Sequence, residues 1–452
     1  MRMFTRKVVA VAGMGLCGAW ATAAWGAAAP QWLLGAGVHY SDNIAKTPTN
    51  PQKEWIRTVL AGLQYQQNSQ DVQANVRGYL EYLNYLHGTY PNETRGTLNA
   101  KVLWHQVPDR LVWDVEDYYS QAPENVFAAD TPANRQNANV FVLGPEVRFT
   151  PWAAGDGAVG VRYTDIYFQT SPTDNRRWSG YLRLDKYLSR TTRLGGHLQS
   201  EWTDFRNQTV NSNFRRYDGW LSLDARAEGF GPNVVPVPGG LGAGIDIGAS
   251  RFVRDRGNDK SGYLLRAHLE TNPHGVWRLN ARGRSQLTDS SADLLTLATA
   301  PPSTVLPRAF NLLDLQVSGA IYRERVAEVD LTRAGEINSF TISGNWRRET
   351  YINATQLDRT VKGGGAAFTR RLGPTTTGTI FGARSRQDLT NTGENDDDWL
   401  AGIRLTRQLS MKWWLNFDAL HEKRDSSIPA YSFVENRGYL ILSYGQNIVT
   451  GY

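Results

Sequence analysis

Only one of the 452 residues is cysteine, Cys17. It lies in an N-terminal segment with the marks of an export signal. Arg2, Arg6 and Lys7 come first, then an apolar stretch from Val8 to Ala24, with small residues around Ala21 to Gly26 at the spacing a signal peptidase reads. Leu16 stands where a lipoprotein signal needs a small residue. We expect a signal over 1–27 and a mature chain over 28–452. That mature chain has no thiol, which excludes disulfides, thiolate metal sites and covalently attached haem and suits the oxidising periplasm.

A second absence is a long apolar run. Beyond the signal nothing approaches the ~20 residues that a membrane-crossing helix requires. A third is charge of one sign. Lys and Arg number 49 against 43 Asp and Glu, a formal +6, and loss of the three signal cations leaves about +3. No basic block stands out, so nucleic acid is not an expected partner. Catalytic motifs are missing too. The seven histidines fall in no metal-binding spacing, and there is no Gly-x-Ser-x-Gly elbow. His39 with Asp42, and His87, are placed near one rim, where they read as loop or interface residues. Asp396, Asp397 and Asp398 read as a solvated acidic loop rather than a cation site. No enzyme activity, cofactor or metal is expected.

What the chain has in quantity is Trp (15), Tyr (20) and Gly (43), with a mean hydropathy of −0.45. From about residue 32 onward, apolar and polar residues alternate with a period of two. In 277–286, Trp277, Leu279, Ala281 and Gly283 fall on one face and Arg278, Asn280, Arg282 and Arg284 on the other. A helical period of 3.6 would scatter those arginines around the axis. The segments 72–82, 217–227 and 263–269 alternate in the same way. The links between segments also alternate. Short ones lie near 67–71, 106–110, 189–192, 271–275, 372–376 and 409–412. Long polar ones lie near 43–54, 86–93, 122–135, 206–213, 290–311, 351–360 and 424–431. Links near 324–337 and 228–240 are long where short turns are expected.

Short turns on one side and long loops on the other mark a transmembrane antiparallel up-and-down β-barrel of the bacterial outer membrane, the short side periplasmic. Counting gives about 20 strands, within a range of 16–20. A soluble all-β protein of this size would carry an apolar face richer in Val, Ile, Leu and Phe, or a 40–50-residue repeat. Here that face is studded with Gly and Ala, and aromatics gather towards strand ends. Girdle candidates are Trp55, Trp104, Trp113, Tyr119, Tyr163, Trp202, Trp277, Trp346, Trp399, Trp413 and Trp414. The last strand carries Gly438, Leu440, Leu442 and Tyr444, similar to the signal read by barrel-assembly machinery.

If the apolar face meets lipid, the other lines a lumen. By phase, the lining candidates are Arg77, Tyr79, Arg183, Trp220, Arg226, Arg266, Arg278, Arg282, Arg284, Arg384 and Arg386. Inward acids such as Asp114, Glu146, Asp185 and Asp224 imply that much of this set forms wall-stiffening ion pairs. Taken together, a slight excess of arginine with interspersed aromatics suits an anionic polysaccharide. The loop at 288–311, with Pro301, Pro302 and Pro307, is the first candidate for folding into the lumen, and 120–136 the second. With only a few residues expected before the first strand, a plugged transporter is disfavoured.

The first strand reads Leu34-Gly35-Ala36-Gly37-Val38-His39-Tyr40-Ser41-Asp42-Asn43, directly after the signal. It resembles the opening of the β-barrel porin family associated with exopolysaccharide and PEP-CTERM loci. The likeness continues in Arg- and Tyr-rich strands such as 181–188. It implies an outer-membrane pore or assembly partner in exopolysaccharide export, with polysaccharide, a periplasmic export partner, and outer-membrane lipid and lipopolysaccharide as partners, and it supplies no catalytic residues. A non-conducting structural barrel and a barrel enzyme remain as alternatives.

Overall fold

The computed structural model describes residues 29–230, 240–271, 276–290, 292–293 and 317–446. The expected signal lies outside them, as do most of the loop at 290–311 and the chain beyond 446.

The chain is a single closed sheet of twenty strands. In order they are β1 (Gln31–Ser41), β2 (Glu54–Asn68), β3 (Val72–Tyr85), β4 (Glu93–Val107), β5 (Leu111–Pro123), β6 (Arg135–Phe149), β7 (Gly155–Phe168), β8 (Asn175–Tyr187), β9 (Thr192–Phe205) and β10 (Phe214–Arg226). The second half comprises β11 (Leu241–Arg254), β12 (Lys260–Thr271), β13 (Trp277–Asp289), β14 (Ile321–Ala334), β15 (Asn338–Tyr351), β16 (Arg359–Gly373), β17 (Thr376–Leu389), β18 (Asn395–Gln408), β19 (Trp413–Ser426) and β20 (Phe433–Gly445). Each pairs antiparallel with its sequence neighbours. β20 closes on β1 from Leu33↔Gly445 to Ser41↔Arg437, so no edge is left to hydrogen-bond in lipid. Gly37 serves this seam. A Cβ there would lie 2.3 Å from the Leu440 carbonyl oxygen and 2.7 Å from Ile441.

The alternation read from sequence sets the two faces. Leu34, Val59, Leu80, Leu198, Leu221, Ile247, Ile342 and Ile380 point outward and are exposed. Aromatic belts flank this apolar band. Tyr40 packs on Trp55 and Tyr163 on Trp178, both at 4.9 Å, towards the long loops. Trp32 and Trp413 pack on Tyr444 towards the short turns. A closed barrel with such a band is built for the bacterial outer membrane, long loops outward. Trp414 departs from the expected girdle. Its neighbour Trp413 takes the outward position, so Trp414 faces inward. The supposed long link at 324–337 is also corrected. Most of it is β14, followed by a turn in which Gly335 N–H donates to the Asn338 carbonyl at 2.9 Å.

The wall is regular except at one place. β12 and β13 pair only from Glu270↔Asn280 to Leu265↔Ser285, while β13 and β14 stay paired up to Asp289↔Ile321. Beyond Ser285 the β13–β14 hairpin leaves the wall and bends into the barrel. Leu287 and Ile321 belong by phase to the outward face, yet they are buried against Phe205, Phe214 and Phe252 on the inner wall of β9–β11. Gly262 lets the hairpin cross. A Cβ there would lie 2.9 Å from Leu287.

Candidate functional site: the lumen

The hairpin narrows the outer half of the lumen, and charged groups fix it there. Arg177 of β8 reaches Asp289 at 2.5 Å and also Glu201 at 3.0 Å. Beyond the strand, Asp293 accepts hydrogen bonds from Tyr322 and Arg347. Arg347 also holds Glu349 (2.7 Å) and Glu324 (3.3 Å), and Arg284 grips Glu324 with two bonds of 2.6 and 2.8 Å. Arg359, fully buried, pairs bidentately with Glu349 at 2.8 and 3.0 Å. Val317, on the far side of the loop, packs into a cluster with Tyr118, Val140, Ile166 and Phe168 on the inner wall of β5–β7. Residues 288–290 and 292–293, the described part of the first loop expected to fold inward, do lie inside the barrel, as does Val317 beyond it; the rest of 288–311 lies outside the described residues. Burial, with the Glu324 carboxylate close by, pushes the Asp293 carboxyl up from 3.8 to about 7.

The second loop expected inside, between β5 and β6, folds in as well. Its Phe127 carbonyl accepts from Arg424 of β19 at 3.4 Å. Its Asp130 pairs with Arg135 at 2.6 and 2.8 Å. Lys46, from the β1–β2 loop, binds Glu422 at 2.7 Å, and Arg437 joins Glu422 and Glu435. Glu54 closes the next loop by accepting from the backbone N–H of His87 (2.8 Å) and Thr89 (3.1 Å).

Towards the periplasm the lining loosens. Arg77, Arg183, Arg226, Arg266, Arg278, Arg282 and Arg284 all face inward. Arg183 lies 3.5 Å from Asp185. Arg193 bridges Asp185 (3.6 Å) and Asp224 (3.0 Å). Among the described residues no carboxylate lies within ion-pair distance of Arg77, Arg226, Arg278 or Arg282. Arg278 and Arg282 are exposed, and the Arg282 Nε donates to Asn280 at 3.1 Å. Trp220 also faces inward, stacked on His197 at 4.8 Å with Arg266 above its ring at 5.4 Å. Tyr79 packs on the apolar trio Leu33, Leu60 and Ile441 and is part of the wall. Further round the wall, neighbouring inner faces carry hydroxyl pairs, Thr332–Thr341 (3.0 Å) between β14 and β15 and Thr369–Thr379 (2.9 Å) between β16 and β17.

Arg384 and Arg386 are corrections. Ile380 is outward and exposed, and the even positions of β17 share its face. Both arginines therefore lie on the outer surface, Arg384 4.5 Å above the Trp399 ring and paired with Asp397. The acidic run 396–398 is not a loop but the start of β18. Asp397 points outward, while Asp398 turns in to Arg424 at 2.6 Å. Arg177, Arg216, Arg347 and Arg359 were missed. They sit beside the long loops, where the sequence blurs the strand ends. Continuing the alternation through Trp346-Arg347-Arg348-Glu349 was the signal available. His39 is buried against Tyr439 (4.4 Å) and lies 3.9 Å from Glu81, while Asp42 accepts from Asn436. Among the described residues no three His, Cys, Asp or Glu converge to hold a metal ion.

No family model and no curated protein matches the sequence. Solved structures do. Pseudomonas aeruginosa OccK2 (OpdF) in complex with glucuronate is 8% identical, covers 92% of this chain and 98% of its own, with a TM-score of 0.40. Pseudomonas aeruginosa OprD is 12% identical over 93% and 97%, at 0.34. The FrpB iron transporter from Neisseria meningitidis is 9% identical over 93% and 83%, at 0.45.

Proposed function

We propose that this barrel is an outer-membrane channel whose outer mouth is held shut by its own hairpin and loops, and that its solute is an anionic, sugar-based polymer leaving the cell. The observation that carries this reading is the polarity of the lumen. Arg278 and Arg282, exposed and with no carboxylate within ion-pair distance among the described residues, stand towards the periplasmic mouth, while the buried pairs Arg177–Asp289 and Arg347–Asp293 hold the hairpin at the other end. Exposed guanidinium groups attract anions and stay charged at any working pH. The inner-face hydroxyls of β14–β17 offer neutral hydrogen bonds to a passing sugar. Exopolysaccharide export, with a periplasmic partner feeding the channel, is the specific form of the proposal, in keeping with the first-strand resemblance. No step of it calls for catalysis.

A structural, non-conducting barrel is the second reading, favoured by the ion pairs that span the outer lumen. Planar-bilayer recording separates the two. The channel reading expects rare, anion-selective openings that become frequent when the loop at 290–320 is shortened. Silence from folded barrel in both forms contradicts it.

A further inference from the structure

We propose that the outward face of β14–β17, just beyond the aromatic belt, binds the phosphate groups of lipopolysaccharide in the outer leaflet. This site is independent of conduction and faces away from the lumen. Arg325, Arg348, Lys362, Arg384 and Arg386 share this face, and all are exposed. Arg325 stands directly opposite Arg348 in the β14–β15 register, and Lys362 directly opposite Arg386 in the β16–β17 register.

Like charges facing each other across a ladder destabilise it. An anion lying between them removes that repulsion. Asp397 and Asp388 occupy one edge, taking Arg384 and Arg386 at β17. Among the described residues, Arg325, Arg348 and Lys362 have no carboxylate within ion-pair distance. Another sector at the same height differs. On β7–β9, Asp165 holds Arg206 at 2.5 Å and Arg176 at 4.0 Å, so charges of opposite sign satisfy each other.

The surroundings decide the kind of anion. Lys362 is register partner to Trp346, and Arg384 to Trp399, so the cations sit at the level where lipid headgroups begin. Below them Ile342, Ile380 and Ile403 are exposed on the same face. A ligand that fills this surface has acyl chains along the isoleucines and phosphates among the cations. Arginine forks match phosphate oxygens in pairs. Soluble phosphate offers no chains, and a glycerophospholipid offers a single phosphodiester. A diphosphorylated lipid A matches both parts.

The test is retention of diphosphoryl lipid A by the detergent-solubilised barrel, read by native mass spectrometry. The triple variant R348Q/K362Q/R386Q, which removes three charged contacts, is expected to weaken retention about tenfold or more. The paired-sector variant R176Q/R206Q is expected to retain it as before. Inorganic phosphate and phosphatidylglycerol vesicles should compete poorly. Equal retention by the triple variant, equal retention of dephosphorylated lipid A, or equal competition by phosphatidylglycerol overturns the proposal. If the triple variant fails to show the heat-modifiable mobility of a folded barrel, the unaltered protein still decides. Raising ionic strength to about 1 M, where the screening length is ~3 Å, must weaken retention, and no change with salt overturns the proposal.

Discussion

At the outer end of the lumen, Arg177, Arg347 and Arg359 are buried and each grips at least one carboxylate. Towards the periplasmic end, Arg278 and Arg282 are exposed, and among the described residues no carboxylate lies within ion-pair distance of either. The residue type is the same and the physical role is opposite. A buried guanidinium without a partner would cost several kcal/mol, so the outer arginines persist as parts of matched pairs that pin a hairpin in place. An exposed guanidinium needs no partner, and a pair there would be worth about 0–1 kcal/mol. The exposed arginines, with Glu328 and Asp330 of β14 beside them on the same face, therefore act on the field in the lumen more than on stability. One end of the lumen is architecture and the other is electrostatics.

Breaking the pin should have the largest effect. Arg177→Ala takes from buried Asp289 the guanidinium that grips it and should weaken hairpin docking by about 3–5 kcal/mol, read as a large rise in open probability in bilayer recordings. The double change Arg177→Met with Asp289→Leu should restore much of the closure, because it removes both charges together. Should the double variant prove as open as the single one, the pair's matching is not what holds the hairpin.

Acidity should act next. Tyr322, Arg347, Glu324, Glu349 and Thr288 surround the Asp293 carboxyl, whose value is raised from 3.8 to about 7. When the hairpin undocks, that carboxyl meets water and ionises at its ordinary value. Closure is thus fully favoured below about pH 4 and weakens as pH rises to about 7. Openings should become more frequent across that window, and Asp293→Asn should flatten the dependence. A barrel that instead opens on acidification contradicts the sign.

A smaller effect is expected at the crossing point. Gly262→Val places methyl groups where Leu287 already lies, an overpacking of about 1–3 kcal/mol. It should raise open probability less than Arg177→Ala does. The smallest effect on stability belongs to the other end. Arg278→Gln with Arg282→Gln should leave the thermal midpoint unchanged and move the reversal potential away from anion preference. That shift should shrink at high salt. An altered midpoint with unaltered selectivity would reverse the assignment of the two ends.

Much of this was legible in the sequence because a strand's period of two is exposed wherever one face meets lipid and the other water. The segment 277–286 shows it plainly, and the twenty strands and both inward loops follow from such runs and the polar links between them. The rule fails beyond the aromatic belts, where both faces meet polar surroundings. The phase read from sequence puts Arg384 and Arg386 in the lumen, yet they stand outward above Trp399. Trp414 was placed in the girdle because it is aromatic, yet it is inward beside Trp413. The hairpin's departure from the wall was not readable at all. Leu287 and Ile321 keep the outward phase of their strands, and only tertiary packing against Phe214 and Phe252 reveals that this face is turned to the barrel's inner wall.

Single-channel conductance of the folded barrel, compared with a form in which residues 291–318 are replaced by a short turn, tests the closure most directly. The account predicts rare, anion-selective openings in the full chain and sustained, larger, still anion-selective conductance in the shortened one. Equal conductance in the two forms would contradict it.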